Sequence, residues 1–369
     1  MNILILNWRD PKHPLSGGAE EVLYYYSQYW IKKGATVTWF ASAFDKGKDS
    51  EVTDGIHIIR KGSHFTVAVW AFIYFLQGSF KTVDIVLDCF HFVPYFSKLY
   101  FWRKPVVALI HEVAGKIWFQ NLFFPIALIG YLLEPLFLFL YRNNQIITGS
   151  QSAKEDLIKH SMKSEDITIV NHGFTKLKAK EYSKEKSTTI IFLGRLSRDK
   201  GIEDALMAFS RLLKKDKTAT LWVVGRAESK KYMKRINQMV NSLQIKKRCV
   251  FFDYVTQEKK FELLTKAWVL VHPSIKEGWG LNVIEANSVG TPAVGYDVAG
   301  LKDSIVNGKT GLLVSSNVTS LADGLSSIVS NKERHDDMSK EAIKWSRNFT
   351  WEKAGEQSFA VMKKVYDRR

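Results

Sequence analysis

The sequence predicts an α/β fold made of two domains, each built on a parallel sheet. Segments with strand character alternate with segments with helix character almost throughout the chain, a pattern typical of parallel strands joined by right-handed crossovers. The chain has 369 residues, enough for two domains of ordinary size that each bury a core. Its apolar fraction of 46% and charged fraction of 24% are ordinary for a globular protein.

The first predicted element is the apolar strand that begins at Met1. It starts without the basic region and cleavage site of a signal peptide, so we interpret it as a structural strand. Next comes a glycine loop at residues 17–18 that opens a helix. Two buried strands follow at residues 83–88 and 106–110, and residues 146–157 form a strand followed by a helix cap.

The second half repeats this alternation after a polar, lysine-rich stretch that has the composition of a linker. Its strands and helices run from Thr189 to about Asn348, and a closing helix follows that we expect to cross back onto the first domain. The predicted organisation is an N-terminal domain, a linker, a C-terminal domain and a closing helix, at residues 1–173, 174–188, 189–348 and 349–369.

Two apolar segments lie in the N-terminal half. Residues 62–80 contain no Asp, Glu, Lys or Arg and could just span a bilayer, but they lie between two predicted strands, as a crossover helix would. Residues 117–141 are interrupted by Pro125 and by Glu134-Pro135, which predicts a broken helix and disfavours a membrane span. For this second segment two interpretations stay open: an aromatic-rich helix in the membrane interface, or a helix packed on the sheet.

Two glutamates, Glu277 and Glu285, lie eight positions apart between a predicted strand and a predicted helix. Gly278 and Gly280 allow the intervening loop to turn sharply and to approach a ligand, and the first amides of the helix carry partial positive charge. This arrangement favours a phosphate beside sugar hydroxyls, as in a nucleotide sugar, with Glu277 on the sugar and Glu285 on the ribose. The alternative is a strand, loop and helix with two surface glutamates.

These residues resemble the motifs of the family 4 retaining glycosyltransferases. The spacing of Glu277 and Glu285 matches the family's E-x7-E motif, and residues 194–201 look like its G-R-L-x-x-x-K-G motif. Residues 146–157 and 290–314 are similar to further family patterns, whereas the turn at residues 171–173 departs from the family because His172 is inserted and the usual acidic residue is replaced. The resemblance runs from Gly17 to about Trp351.

The resemblance implies the GT-B fold, in which two Rossmann-like domains with parallel sheets face a central cleft. It also implies the transfer of a hexose from a UDP- or GDP-linked donor to a glycan or lipid-linked acceptor, with retention of anomeric configuration. The donor would bind the C-terminal domain and the acceptor the N-terminal one. The leaving phosphate would help to deprotonate the acceptor, and Glu277 would bind hydroxyls without acting as the nucleophile.

Site residues follow from the same resemblance, position by position. The expected catalytic residues are His111, Glu277, Arg195 and Lys200, with Arg195 and Lys200 neutralising the diphosphate. Alternatively, Arg195 and Lys200 are simply exposed basic residues. Donor contacts are expected from Gly17, Gly18, Arg195, Lys200, Tyr254, Glu277, Gly278, Trp279, Gly280, Leu281, Asn282 and Glu285.

Polar residues at strand ends of the N-terminal domain are further candidates. Open α/β sheets bind ligands at the carboxyl ends of their strands, which is where His111 and Glu112 are predicted to lie. The alternative for His111 is an imidazole bonded only to backbone. His91 and Asp88 are weaker candidates for the acceptor side.

The sequence predicts an anionic partner, because its formal net charge is +16. Nucleic-acid motifs are missing, so we expect contact with anionic lipid headgroups at the inner face of the membrane and no nucleic acid. Cys89 and Cys249 have no metal-ligand or disulfide spacing, which suits the cytoplasm. We expect neither a metal nor a cofactor, since there is no D-x-D motif and Arg195 and Lys200 would take the role of the metal.

Two other functions stay open. A GT-B relative could isomerise or hydrolyse the nucleotide sugar without an acceptor, and a basic protein could bind nucleic acid. A nicotinamide dehydrogenase is disfavoured, because no G-x-G-x-x-G motif follows the first strand.

Overall fold

The chain forms two compact α/β units. A computed structural model describes residues 1–175 and 183–368, with only the backbone of Asn121, so that residues 176–182 of the predicted linker at 174–188 lie outside the described residues. One unit contains Met1–Gly173 together with Thr350–Arg369, and the other contains Phe174–Phe349. The predicted fold class, two α/β domains with parallel sheets, is confirmed.

The described strands in chain order are β1 Asn2–Leu6, β2 Thr36–Ala41, β3 Ser50–Thr53, β4 Ile56–Arg60, β5 Ile85–Phe90, β6 Val106–Ile110, β7 Ile146–Thr148, β8 Ile167–Ile169, β9 Thr189–Leu193, β10 Thr220–Val224, β11 Cys249–Phe252, β12 Val269–His272, β13 Ala293–Tyr296 and β14 Gly311–Val314. The first eight form one sheet in the order β3-β4-β2-β1-β5-β6-β7-β8, and the last six form another in the order β11-β10-β9-β12-β13-β14.

The described α-helices are α1 Gly18–Lys32, α2 Val67–Leu76, α3 Ser97–Tyr100, α4 Trp118–Asn121, α5 Phe124–Leu140, α6 Gln151–Lys159, α7 Ile202–Lys215, α8 Lys230–Ser242, α9 Gln257–Lys266, α10 Leu281–Ser288, α11 Leu301–Ser304, α12 Val318–Val329, α13 Lys332–Ser346 and α14 Trp351–Tyr366. Most of them connect parallel strands, and α14 packs on α1 within the first unit.

One strand pair departs from the parallel arrangement. β3 runs antiparallel to β4 at the edge of the first sheet, whereas the other pairings are parallel. The local cause is a two-residue turn at Asp54-Gly55, in which both residues have positive φ angles, 49° and 82°. Such turns match the twist of an antiparallel hairpin.

Strand order places the predicted motifs of the second unit beside each other. β9 and β12 are neighbours at the centre of the six-stranded sheet and run in parallel. Their carboxyl ends therefore lie at the same edge, where Gly194–Lys200 follows β9 and residues 273–280 follow β12. Both strands are buried, because helices pack on the two faces of the sheet.

The two apolar segments form helices of the first unit. Residues 62–80 contain α2, which connects β4 to β5 as a crossover. The break predicted at Glu134-Pro135 is wrong, since α5 continues through Pro135. The buried Glu134 carboxylate accepts hydrogen bonds from the amides of Ala114 and Gly115, at 2.6 and 2.8 Å, and these contacts hold the segment in place. Within the described residues, no helix has both the length and the apolarity to cross a bilayer.

Candidate active site

The carboxylate of Glu277 lies at the centre of a polar cluster at the carboxyl ends of β9 and β12. Its Oε1 accepts hydrogen bonds from Nζ of Lys200 at 2.7 Å and from the hydroxyl of Ser274 at 2.7 Å. Nε2 of His272 lies 3.1 Å from the same oxygen. The structure thus brings together two predicted residues, Glu277 and Lys200, and adds two residues that the sequence analysis did not select.

The surroundings of Glu277 keep its carboxylate ionised. Burial alone would raise its pKa, but the charge of Lys200 and the hydrogen bond from His272 outweigh burial and hold the pKa well below its usual value. Glu277 is therefore an acceptor for hydroxyl groups at neutral pH and is not a proton donor.

Glu285 combines burial with an unused hydrogen-bonding oxygen. Its Oε1 accepts from Nζ of Lys260 at 2.5 Å, and its side chain is 5% exposed. Its Oε2 is buried and has no hydrogen-bond partner in the described part of the chain. Such an oxygen is costly to bury unless a ligand supplies a donor, so Glu285 is suited to bind a hydroxyl.

Arg195 lies after β9 and is half-exposed. Its Nη2 lies 3.1 Å from the carboxylate of Asp199, and its Nε donates to the hydroxyl of Ser197 at 3.3 Å. The structure therefore pairs Lys200 with Glu277, whereas Arg195 is paired with Asp199. Among the described residues its guanidinium has one carboxylate in ion-pair contact, Asp199, so N–H groups are left to bind an anion.

Two glycines permit the chain to turn at this edge. Gly201 has a φ of 71°, and a Cβ there would lie 2.1 Å from the carbonyl oxygen of Pro273. Gly280 precedes α10 with a φ of 83°. The first amides of α10, at Leu281 and Asn282, have no acceptor within the helix and carry partial positive charge, which suits an anion.

Several predicted donor residues contribute to the framework of the site. Trp279 is buried and its ring packs against Phe349 with centroids 4.9 Å apart. The side-chain amide of Asn282 donates to the carbonyl of Leu193 at 2.9 Å, which ties α10 to β9. Gly278 and Leu281 are half-buried, and Tyr254 is 75% exposed after β11.

In the first unit, the Gly17-Gly18 loop is exposed and held by Glu20. Gly17 is the N-cap of α1, and its amide donates to Oε2 of Glu20 at 2.7 Å. The buried Glu20 has a pKa raised by burial, and its other oxygen lies 3.4 Å from the side-chain amide of Asn7. This contact holds the loop and occupies the amide of Gly17.

His111 lies in a row of imidazoles at the carboxyl ends of the strands. Its ring centroid is 6.0 Å from that of His91 and 5.4 Å from that of His172. Its Nε2 is buried and has no hydrogen-bond partner within residues 1–175 and 183–368. Burial lowers the pKa of His111 to about 4, and burial also lowers the pKa of His91 and His172. At neutral pH the row is uncharged. The inserted His172 therefore packs beside the predicted site residue.

Asp88, a weaker acceptor-side candidate, is engaged within the protein. Its buried carboxylate accepts from the hydroxyls of Ser97 and Tyr141, at 2.6 and 2.5 Å, and from the amide of Tyr95 at 3.0 Å. His91 differs, because its Nε2 lies 2.6 Å from the amide oxygen of Asn7 at the end of the neighbouring strand.

The sequence did contain signals for the residues that were missed. His272 and Ser274 flank Pro273 at the end of a buried strand, a position where polar residues usually serve a ligand or a charge. For Lys260 there is no such signal, although it lies on α9 and is largely buried against Glu285. No local pattern distinguishes it from Lys259.

Comparison with known protein families finds one match for each half of the chain. Residues 16–175 match the family described as Glycosyltransferase Family 4, and residues 173–345 match the family described as Glycosyl transferases group 1. The D-inositol 3-phosphate glycosyltransferase of Corynebacterium diphtheriae is 31% identical over 174 residues, which is 46% of this chain and 41% of that protein. The chain thus matches less than half the length of this relative.

Solved structures match over the whole chain. Sucrose-phosphate synthase from Thermosynechococcus elongatus superposes with a TM-score of 0.82 at 18% identity and covers 100% of both chains. HepE from Anabaena, solved in complex with UDP and glucose, has a TM-score of 0.76 at 16% identity and covers 99% of this chain and 100% of its own. The predicted family is confirmed: the chain belongs to the family 4 glycosyltransferases of the GT-B fold.

Proposed function

We propose that this protein transfers a hexose from a UDP- or GDP-linked donor to a glycan or lipid-linked acceptor, with retention of anomeric configuration. The observation that carries the proposal is the buried carboxylate of Glu285, whose Oε2 has no partner among the residues that the structure describes. Glu285 lies on α10, and the first amides of this helix follow the Glu277 cluster. A ribose hydroxyl would supply the missing donor to Glu285.

The cluster has a role for each side chain in this reaction. Glu277 would accept hydrogen bonds from sugar hydroxyls, because its low pKa keeps it ionised. Lys200 and Arg195 would neutralise the charge that develops on the leaving diphosphate. The sugar–phosphate bond breaks, the acceptor oxygen bonds to the same face of the sugar carbon, and the acceptor proton passes to a phosphate oxygen.

In the first unit we assign Gly17, Gly18 and His111 to contacts with donor and acceptor. The lowered pKa of His111 leaves its imidazole neutral, so it would hydrogen-bond a sugar hydroxyl without acting as a general acid. Neither a metal nor a cofactor has a step in this proposal.

Calorimetric titration in metal-free buffer tests the donor site. UDP, GDP, ADP and their glucose conjugates would be compared, beginning with UDP-glucose, because HepE was solved with UDP and glucose in the same fold. We expect one diphosphate to bind with a Kd of roughly micromolar size, and Arg195→Ala to weaken it at least about tenfold. The exposed Arg347→Ala is the matched control. If none of the six compounds binds, the proposal is contradicted.

The ribose contact and the stereochemistry need separate measurements. UDP and its 2′-deoxy and 3′-deoxy forms would be titrated against the wild type and Glu285→Gln; a carboxylate on the ribose predicts that the variant loses the preference for one hydroxyl. NMR of the product then reports the anomer. An inverted product would contradict retention, and free sugar without a transferred product would favour the hydrolase alternative.

A further inference from the structure

The outward side of α5 is apolar along its whole length. The helix packs against the first unit through one stripe, formed by Ala127, Gly130, Glu134 and Leu138. Because Glu134 is buried, the exposed part of this 17-residue helix carries no charged side chain. Ile129, Leu132 and Leu136 are each about 60% exposed on the open side.

The close packing of α5 on the unit fixes this orientation. A Cβ at Gly130 would lie 2.3 Å from the ring of Trp118, so the helix approaches that ring closely. The indole N–H of Trp118 and the amides of Ala114 and Gly115 donate to the Glu134 carboxylate. The exposed leucines and isoleucine cannot turn inward without breaking these bonds.

Neighbouring elements extend the same face. Phe96 packs its ring on Phe137 of α5, and Phe72 of α2 packs on Tyr100 of α3. α2, α3 and α5 all pack against one core cluster of the first unit. We call the exposed apolar side chains of α2, of α5 and of the turn containing Trp102 the apolar face, because they lie on neighbouring elements and are not apolar residues scattered singly over the surface.

The exposed charges of the segment that contains α3, Trp102 and α5 are of one sign. Four basic side chains within residues 85–145 are exposed: Lys98, Arg103, Lys116 and Arg142. None of the three carboxylates in this range is exposed, because Asp88 and Glu134 are buried and Glu112 is half-buried. Two of the cations lie over exposed aromatic rings at the border of the face. The guanidinium of Arg103 lies 4.3 Å from the ring of Trp102, and that of Arg142 lies 4.0 Å from the ring of Phe139.

We propose that the apolar face docks onto an anionic phospholipid surface, with α5 in the plane of the interface. Its side chains would enter the acyl boundary while the aromatic and basic border lies among the headgroups, the arrangement of an interfacial helix. The basic border selects anionic lipid. A second copy of the chain is a less suitable partner for the apolar face. A symmetric pairing would bring the four exposed cations of one copy close to the same four cations of the other.

Vesicle co-sedimentation of the full chain, without substrates, tests this proposal independently of glycosyl transfer. Vesicles of phosphatidylcholine alone would be compared with vesicles that also contain phosphatidylglycerol. We expect binding to the anionic vesicles, and I129Q/L132Q/L136Q to weaken it at least about tenfold. The control V52Q/I158Q/V250Q places the same polar groups at other exposed apolar positions and should bind as the wild type does.

A second variant and a second measurement separate the outcomes. Arg103→Glu with Arg142→Glu should remove the preference for anionic vesicles, and circular dichroism should show that each variant folds. The proposal is overturned if the wild type binds neither vesicle or if I129Q/L132Q/L136Q binds unchanged. It is also overturned if sedimentation velocity shows a dimer that this variant dissociates and that does not bind vesicles, because a second copy would then cover the face.

Discussion

Glu277 is held by three donors from different parts of the second unit, and this shapes its chemistry. Lys200 comes from the loop after β9, while His272 and Ser274 come from the end of β12. A carboxylate with so many donors is rigid and ionised, and it holds the Lys200 ammonium where the leaving group is proposed to lie. Removing its charge therefore affects orientation more than binding of the nucleotide.

We predict that Glu277→Gln lowers the transfer rate at least about a hundredfold while nucleoside diphosphate affinity changes less than about threefold. The amide keeps the shape of the side chain but attracts Lys200 and sugar hydroxyls less strongly. Steady-state transfer assays and calorimetry measure the two quantities. Exposed Glu341→Gln serves as the control. Equal loss of rate and of diphosphate affinity would contradict the assigned role.

Lys184 gives a second residue-scale prediction, on pH. Its Nζ donates to the carbonyl of Ala267 and to the hydroxyl of Thr291, both at 2.7 Å, and burial lowers its pKa to about 7. The unfolded chain, where a lysine pKa is about 10.4, binds more protons between these pH values. The free energy of unfolding should therefore rise with pH from about 7 to about 10, by at most about 1.4 kcal/mol per pH unit.

Lys184→Met should flatten this rise, because the titrating group is gone. Urea unfolding across the same pH range measures it, and Lys186→Met, at an exposed position two residues away, is the matched control. If the slope is the same in wild type and in Lys184→Met, another group causes it.

At the scale of the element, the loop between β9 and α7 depends on Gly201. Its positive φ disfavours any side chain, and its Cβ would also collide with the backbone of Pro273. We predict that Gly201→Ala lowers the free energy of unfolding by about 2–4 kcal/mol and moves Lys200 away from Glu277, with weaker diphosphate binding.

Gly308→Ala separates the two causes. Gly308 has a similar φ, 77°, but a Cβ there meets nothing within 4 Å. It should cost only about 1 kcal/mol. Urea unfolding of both variants gives the difference, and equal losses would show that backbone conformation alone determines the effect.

The elements of the fold could be predicted because buried strands and crossover helices leave clear patterns. The sequence alone could not show that the helix continues through Pro135. Its continuity there depends on the contacts of Glu134 with residues distant in sequence. The reversed β3 also escaped prediction, although its Asp54-Gly55 turn is a local signal.

For the site, the family resemblance predicted that Glu277 and Lys200 belong together. The structure brings them together because their loops follow neighbouring strands. Spacing does not report side-chain direction. Trp279 points into the core and Asn282 bonds the end of β9, since glycines on either side of Trp279 let the loop turn its side chain inward. The sequence does not indicate that Lys260 pairs with Glu285, because the two residues lie on different helices.

At the scale of the whole molecule, the chain leaves the first unit at Gly173 and returns to it at Thr350. The returning helix α14 packs on α1: the indole N–H of Trp30 donates to the hydroxyl of Ser358 at 3.1 Å. A Cβ at Gly355 would lie 2.4 Å from Cβ of Tyr29, so only glycine permits this approach. The last helix is thus part of the core of the first unit.

We predict that Gly355→Leu destabilises the first unit and spares the second, because the leucine forces α14 away from α1. Hydrogen exchange read by mass spectrometry should show faster exchange in α1 and α14, with β9 and β12 unchanged. Most of the proposed donor contacts, among them Glu277, Glu285, Arg195 and Lys200, lie in the second unit, whereas Gly17 and Gly18 lie in the first. UDP affinity should therefore change less than about threefold. Glu356→Leu, at the exposed neighbouring position, is the control. Faster exchange throughout both units would mean that they unfold as one cooperative body, and that nucleotide binding depends on the closing helix as well.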